Sequence, residues 1–290
     1  MDLPKIQAIA QKLSLNCKGR LVLLDKPVVM GILNATPDSF FENSRAVGEQ
    51  LIEKASRMMA DGAAFIDIGG YSSRPGAPDV TVQEEVDRVI PAIESLHKEF
   101  PGLLISVDTF RAKVAELAVN AGASLINDIS SGDDDAEMIP AAARLQVPYI
   151  MMHKKGTPRT MNQLAGYENV TLEVLEYFNH KIAEARRAGI VDIILDPGFG
   201  FAKNLQHNYE LLNNMSDLRV AGLPLLVGVS RKKMIQNLTH TDAAGALNGT
   251  TVVNTLALLQ GANILRVHDV KEAVECINIV SATHGNFQDL

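Results

Sequence analysis

The chain has 290 residues, of which 47% are hydrophobic and 21% charged, with a formal net charge of −7. This composition supplies a large core and excludes a disordered chain, and the acidic balance argues against a nucleic-acid-binding protein. No apolar stretch approaches the ~20 residues that span a bilayer, so a membrane partner is not expected either.

Residues 1–26 precede the first strand–helix unit and are predicted to be a short N-terminal extension. Their start lacks the basic residues and apolar run of a signal peptide, which predicts a cytoplasmic protein. Cys17 here and Cys276 near the other end suit neither a metal site nor a disulfide framework, in keeping with a reducing compartment. Helical spacing of apolar residues from Ile6 to Leu13 and a possible strand at 20–24 predict that this extension covers the bottom of the domain that follows.

From residue 27 onward a single unit recurs, in which a helical stretch ends at a glycine and a short β-branched run follows. Gly62, Gly122, Gly189 and Gly261 all precede such runs. Glycine closes a helix in the left-handed conformation, and short runs that are apolar on both faces are typical of parallel strands. Strands are therefore predicted at 28–33, 64–69, 103–107, 124–127, 148–152, 191–195, 224–229 and 263–267. Helices are predicted at 49–61, 82–98, 111–120, 135–144, 170–188, 205–215, 244–260 and 270–282.

Eight such alternations predict an α/β fold, a single-domain (β/α)₈ TIM barrel over residues 27–284. The alternative is an open, doubly wound sheet. That fold usually carries a glycine-rich fingerprint after its first strand, and the sequence has none there.

Polar residues follow the carboxyl ends of nearly all the predicted strands, where barrel enzymes build their active sites. Any one of them could be a helix cap, and His153 could equally be a structural histidine. So many together favour a shared site. The ends carry Asn34, Gly69-Gly70, Asp108-Thr109, Asn127-Asp128, His153, Asp196-Pro197-Gly198, Ser230-Arg231-Lys232 and Arg266-Val267-His268.

The residue types at these ends indicate two kinds of ligand chemistry. Asp108, Asn127 and Asp196 suit a planar, nitrogen-rich ring, because a carboxylate that faces adjacent N–H groups makes paired, charge-assisted bonds. Phosphate sites in barrels often follow the seventh and eighth strands. The cations at those two strands are Lys232, Arg266 and His268.

Two long connections, 34–48 and 70–80, are dense in turn formers and hydroxyl groups. Such segments are typical of loops that close over a substrate.

Together these motifs resemble the dihydropteroate synthase family over residues 28 to about 280. Seven motifs occur in the family's order, which makes the resemblance specific. They lie at 30–40, 69–76, 106–109, 126–128, 196–201, 230–232 and 266–269.

The resemblance implies a transferase of folate biosynthesis that is inhibited by sulfonamides. Such an enzyme condenses 6-hydroxymethyl-7,8-dihydropterin diphosphate with 4-aminobenzoate, releasing diphosphate and forming 7,8-dihydropteroate. Its partners would be these small molecules and a second copy of the chain in a homodimer, with Mg²⁺ as cofactor.

The resemblance also assigns roles to individual residues. The pterin would be held by Asp108, Asn127, Met152, Asp196, Phe201 and Lys232, with Phe199 as a further wall. The diphosphate would be held by Asn34, Arg74, Arg266 and His268, with the metal near Asn34. The aminobenzoate would be held by Ser73, Arg74, Phe201 and Lys232. The residues implied to be catalytic are Lys232, Arg266 and Asp108.

The chain departs from the family pattern in the two loops. Phe41-Glu42-Asn43 replaces a segment that usually contains Asp-Gly-Gly, Tyr71 replaces an acidic residue, and Ser73 replaces a threonine. Two alternatives follow: a pterin-dependent methyltransferase of the same superfamily, or a non-catalytic paralogue that binds pterin but does not close its loops.

Overall fold

A computed structural model describes residues 13–35, 44–71, 79–156 and 160–283. Ten strands, nine α-helices and two 3₁₀ helices lie within that part of the chain. The strands are β1 (Ser14–Cys17), β2 (Arg20–Leu23), β3 (Val28–Asn34), β4 (Ala63–Gly69), β5 (Leu104–Asp108), β6 (Leu125–Asp128), β7 (Tyr149–Met152), β8 (Ile193–Asp196), β9 (Leu226–Val227) and β10 (Ile264–Val267). The helices are α1 (Ser44–Ala60), α2 (Val82–Glu99), α3 (Ala112–Ala121), α4 (Met138–Leu145), α5 (Val170–Ala188), α6 (Leu205–Asn213), α7 (Lys233–Thr239), α8 (Leu247–Leu259) and α9 (Val270–Thr283).

Strands β3 to β10 form a parallel barrel, so the predicted fold class is confirmed. Their spatial order is β8-β7-β6-β5-β4-β3-β10-β9. A single parallel bridge between Leu195 and Leu225 joins the two ends, and the Leu195 N–H donates to Pro224 O at 2.9 Å. The seventh barrel strand is shorter than predicted. The chain turns away after Val227, with Lys232 N–H bonded to Val229 O and Arg231 at a positive φ of 55°.

The barrel interior has an apolar floor and a polar layer directly above it. The floor is a buried cluster of strand-start residues: Met30, Phe65, Leu104, Leu125, Ile150, Ile194, Leu226 and Ile264. Side chains alternate between the two faces of a strand, so the inward residues one layer higher lie two positions further on. That layer comprises Ile32, Asp67, Ser106, Asn127, Met152, Asp196, Gly228 and Arg266.

Below the floor lies an antiparallel hairpin of β1 and β2, in which Ser14 pairs with Leu23. The second strand agrees with the prediction at 20–24, but the first was not predicted. Lys18 and Gly19 at the turn both have positive φ, as a two-residue hairpin turn requires. Leu15, Cys17 and Leu24 pack in the same buried cluster as the floor, and both cysteines are free and buried. Of the helical pattern predicted from Ile6 to Leu13, all but Leu13 lies outside the described residues, and Leu13 packs against the same cluster.

The helices agree with the predicted ones to within a few residues, with two differences. Helix α1 begins at Ser44, five residues before the predicted start, and the short helix α7 was not predicted. None of the helices in the described ranges is long and apolar enough to cross a membrane.

Candidate active site

A cluster of opposite charges lies above the barrel floor, centred on Arg266. Its Nε donates to Asp67 Oδ2 at 2.6 Å, and one of its terminal nitrogens donates to Asp108 Oδ2, also at 2.6 Å. The amide of Asn127 donates to the same Asp67 oxygen at 3.0 Å. Asp67, which the sequence analysis missed, therefore joins Arg266 to Asn127, and Arg266 in turn joins this pair to Asp108. The signal for Asp67 was a lone carboxylate inside a buried strand, between Ile66 and Ile68.

Burial and charge act against each other in this cluster. Burial raises the pKa of Asp108 to about 7, Arg266 opposes the rise, and Asp67 adds to it. Burial works against the charge of Arg266, but the Asp67 and Asp108 carboxylates outweigh it and raise its pKa. The guanidinium thus stays charged and reduces the repulsion between the two carboxylates that it contacts.

A second group forms where β8 ends. Asp196 Oδ1 accepts from the Gly198 N–H at 2.8 Å. Lys232 Nζ donates to Phe199 O at 2.6 Å and lies 4.9 Å from the centre of the Phe201 ring. Burial raises the pKa of Asp196, and the nearby Lys232 opposes this rise. Burial lowers the pKa of Lys232 to about 8, while Asp196 opposes the fall.

Met152 forms part of the wall between these two groups. It is buried at the end of β7, which pairs with β8 so that Met152 lies beside Asp196. Phe199 is buried in the layer between barrel and helices, whereas Phe201 is partly exposed. Of the two aromatic residues, Phe201 is therefore the one that the mouth of the barrel can present to a ligand.

The remaining anion-binding candidates lie at the ends of the neighbouring strands β3 and β10. Asn34 and His268 are both exposed there. Ser230 Oγ lies 3.0 Å from His268 Nδ1 and accepts from the His268 backbone N–H at 3.2 Å. Asn34 and His268 thus flank one side of the mouth of the barrel. Ser73 and Arg74 lie outside the described residues.

Three polar residues at the strand ends have structural partners. Asp128 accepts from Ser130, Gly132 and the hydroxyl of Tyr149, which holds it on the outer face of β6. Arg231 makes a two-pronged ion pair with Asp269, at 2.7 and 2.8 Å, so its charge is balanced within the protein. His153 faces Lys203, a second site-proximal residue that the sequence analysis missed.

Tyr71, where the family pattern has an acid, makes aromatic contacts at the base of its loop. Its ring lies 5.1 Å from that of Phe110, edge to face, and the Arg111 guanidinium lies 5.6 Å from its centre. Arg111 is neutralised by buried Glu85 at 2.7 Å. Tyr71 thus makes an aromatic contact at the position where the family pattern has an acidic residue. Glu85, rather than residue 71, balances the charge of Arg111.

The geometry defines a barrel enzyme whose mouth offers carboxylates and an amide for a nitrogen-rich ring, with cations beside them for an anionic group. A model of the family described as "pterin binding enzyme" matches residues 30–268, and the chain belongs to that family.

Three proteins similar to this chain over most of its length are named as dihydropteroate synthases. The dihydropteroate synthase of Escherichia coli (strain K12) is 43% identical over 274 residues, covering 93% of this chain and 96% of the relative. The Yersinia pestis dihydropteroate synthase, solved with a sulfonamide drug, is 43% identical with a TM-score of 0.87, covering 94% and 99% of the two chains. The Xanthomonas albilineans enzyme has been solved with 4-aminobenzoic acid, at 38% identity and a TM-score of 0.87 over 94% and 98% of the two chains. It has also been solved with 7,8-dihydropteroate, at 36% identity and a TM-score of 0.84 over 94% and 99%.

Proposed function

We infer that this chain is a transferase that catalyses dihydropteroate synthesis. The bond between the dihydropterin methylene and the diphosphate oxygen breaks, and diphosphate leaves with the electron pair. The amine of 4-aminobenzoate then bonds to the methylene and loses a proton. The observation that carries this reading is the joined cluster of Asp67, Asp108, Asn127 and Arg266 beside Asp196 and Lys232, in a chain whose relatives have that activity.

The ring of the dihydropterin is assigned to the layer above the barrel floor. Asp196 would accept from adjacent ring N–H groups, and Asn127 can both donate and accept. Lys232 would donate to a ring acceptor, since its ammonium faces Asp196 at the same wall. Met152 and Phe201 would pack against the faces of the ring. The buried position of Asp196 supports this placement, because a buried carboxylate is costly unless its oxygens accept hydrogen bonds, and the ring N–H groups would supply them.

The diphosphate is assigned to the rim formed by Asn34, Arg266 and His268, together with Arg74. Mg²⁺ would reach this rim with the diphosphate. Within the described ranges no three His, Cys, Asp or Glu side chains converge to hold a metal ion. Asn34 offers one exposed, uncharged oxygen, which fits Mg²⁺ that keeps its waters and the phosphate oxygens as its main ligands. When bound, the ion would neutralise charge on the departing diphosphate.

The aminobenzoate is assigned to the outer wall, on Phe201 and Lys232, with Ser73 and Arg74 contributing from the β4 loop. Sulfonamides are expected to compete for this place.

Three residues are assigned to the chemical step. Loss of diphosphate leaves positive charge on the pterin methylene and ring, which the carboxylate of Asp108 would stabilise. Arg266 touches Asp108 and would also face the diphosphate, so it can balance the anion as it departs. Lys232 would hold the ring while this charge develops. An aromatic amine is nucleophilic enough to attack without a general base.

A homodimer is proposed from an apolar stripe on α8. Val252, Leu256 and Leu259 follow helical spacing and are exposed, and Ile279 on α9 is exposed as well. Apolar side chains grouped on one helix face favour association more than the same residues scattered singly. We also propose that residues 27–284 are the pterin-binding domain and residues 1–26 its extension, in a cytoplasmic protein.

Turnover decides the proposed function. The protein is mixed with Mg²⁺, dihydropterin diphosphate and 4-aminobenzoate, and dihydropteroate and diphosphate are measured. Both products should form in equal amounts and require both substrates. Pterin binding without either product would favour the non-catalytic paralogue.

A further inference from the structure

Lys203 is a buried lysine behind the turn that follows β8, and the proposed reaction does not use it. Only 8% of its surface is exposed. Its Nζ donates to Gly198 O at 3.0 Å and to Phe201 O at 3.2 Å, and lies 2.9 Å from His153 Nδ1. An ammonium group has three N–H donors, so these three acceptors satisfy it completely.

We propose that Lys203 is a positioning residue that holds the turn from Asp196 to Phe201 in the shape needed to bind the pterin ring. This inference rests on the proposed function, because it assigns the ring to that turn.

The turn needs such a tie because its backbone conformation is unusual. Gly198, Gly200 and Ala202 all have positive φ, at 70°, 80° and 49°. A Cβ at Gly198 would clash with the carbonyl oxygen of His153, so this position requires glycine. Carbonyl groups in such a turn are not paired by a strand or helix ladder. Gly198 O accepts one bond within the turn, from Phe201 N–H at 3.1 Å, and Lys203 supplies a further donor to it and a donor to Phe201 O.

The turn carries the groups that the ring would contact. Gly198 N–H orients the Asp196 carboxylate, at 2.8 Å from Oδ1. Phe199 O holds Lys232 Nζ, which lies over the Phe201 ring. Lys203 binds the carbonyls on either side of Phe199, so a shift in its contacts would move Asp196, Lys232 and Phe201 together.

The contacts of Lys203 with Gly198, Phe201 and His153 form a clamp, in which His153 is a neutral acceptor. Burial, with the charges of Lys203 and Lys155, lowers its pKa to about 2. Nδ1 therefore accepts from Lys203 and the ring proton is on Nε2. The Tyr177 ring lies 4.9 Å away, edge to face, and limits rotation of the imidazole.

The clamp should weaken as the pH rises. Burial lowers the pKa of Lys203 to about 7; Asp196 opposes this shift, while Lys232 and Lys155 add to it. Together with neutral His153, these are the charged and titratable groups that act on it. The ammonium form with three donors is present below that pH. Above it a neutral amine has two donors for three acceptors.

The variant test compares Lys203→Met with Lys155→Met, which removes a neighbouring charge that contacts Glu173 and no part of the turn. Affinities for a pterin analogue and for inorganic diphosphate are measured by calorimetry at pH 6 and pH 8.5. Loss of a charge-assisted bond predicts about tenfold weaker pterin binding for Lys203→Met at pH 6, with diphosphate binding and the Lys155→Met protein unchanged. Wild-type pterin affinity should fall toward pH 8.5 more steeply than that of Lys203→Met. Lys203→Arg, which keeps the charge but not the three-way geometry, should lie between the two.

Pterin binding by folded Lys203→Met as tight as that of wild type would overturn the inference, even if the variant melts earlier. If Lys203→Met does not fold, Lys203→Arg decides, and wild-type affinity in that variant would likewise overturn it. Turnover of wild type is followed separately, so intact catalysis with unchanged variant binding refutes only the role of Lys203. A wild-type protein that binds no pterin refutes this role and the proposed function together.

Nitrogen-15 spectra of the wild-type histidines give a further test that needs no ligand. His153 should remain neutral, with its proton on Nε2, down to pH 4. Protonation of this ring near pH 6 would mean that the contact with Lys203 does not form.

Discussion

Arg266 and Asp67 meet inside the barrel although 199 positions separate them in the chain, with Nε and Oδ2 2.6 Å apart. The same guanidinium reaches Asp108, and the same Asp67 oxygen accepts from Asn127. Arg266 was expected to stand with Lys232 and His268 as part of an anion site. Arg266 also contacts the two carboxylates, so the proposed ring and diphosphate subsites share this residue.

Asp67→Asn should destabilise the protein and impair pterin binding. The substitution removes a fully buried carboxylate and leaves Arg266 with Asp108 as its one remaining charged partner in the cluster. Breaking a buried ion pair typically costs about 3–5 kcal/mol, so the loss should be of that order or somewhat less. Urea unfolding measures the loss. Glu53→Gln is the control, because its ion pair with Arg57 is exposed and should change stability by less than about 1 kcal/mol. Equal stability of the two variants would mean that the Asp67–Arg266 pair contributes little.

Asp196→Asn should weaken binding of a pterin analogue by about 2–5 kcal/mol, because an amide presents a donor where the ring presents another. Calorimetric titration of the folded variant tests this. Asp192→Asn, at the opposite end of the same strand region, is the control and should bind normally. An unchanged dissociation constant for Asp196→Asn would remove this residue from the pterin site.

His268→Ala and Arg266→Ala should differ in selectivity. His268 lies at the rim, so its loss should weaken diphosphate binding and leave a neutral pterin analogue unaffected. Arg266 contacts Asp67 and Asp108, so its loss should weaken both ligands. Competition binding, measured once with diphosphate and once with the pterin analogue, distinguishes the two variants. If His268→Ala weakened both equally, the residue would have a structural rather than an anion-binding role.

The buried carboxylate of Asp108 should make stability depend on pH. Its pKa in the folded protein is raised from the usual 3.8 to about 7, so the folded state binds the proton more tightly than the unfolded chain does. The resulting stability is fully present below pH 3.8 and is lost as the pH rises to 7. At 1.36 kcal/mol per pKa unit the loss is up to about 4 kcal/mol. Asp108→Asn should flatten this part of the profile in denaturant melts at pH 4 to 8. If the stability of wild type and variant changed with pH in parallel, the raised pKa of Asp108 would be contradicted.

Leu256→Glu should convert the proposed dimer to a monomer, because a carboxylate would then stand in the middle of the α8 stripe. Light scattering after gel filtration gives the mass. Val220→Glu is the control, since Val220 is exposed on a separate 3₁₀ helix at Met215–Ala221. A wild-type protein that is already monomeric at high concentration would refute the proposed dimer.

The sequence by itself determined the barrel and the positions of most site residues. The signals for these features are local, because each can be recognised from a short stretch of sequence. They are glycines that close helices, short runs buried on both faces, and polar residues at the strand ends. Elements with weak local signals were missed. The four-residue strand β1 exists because β2 pairs with it, and α7 has only seven residues.

Only the tertiary structure decided which side chains meet. Alternation shows that Asp67 and Arg266 both point inward, but their contact depends on the register of eight strands and on the height of each residue above the apolar floor. The same holds for His153 and Lys203, 50 residues apart, whose contact depends on a turn with three positive φ values. A local pattern records the face on which a side chain lies. The choice of partner is made by closure of the barrel, which brings groups from different strands into one low-dielectric space, where unpaired charges are costly.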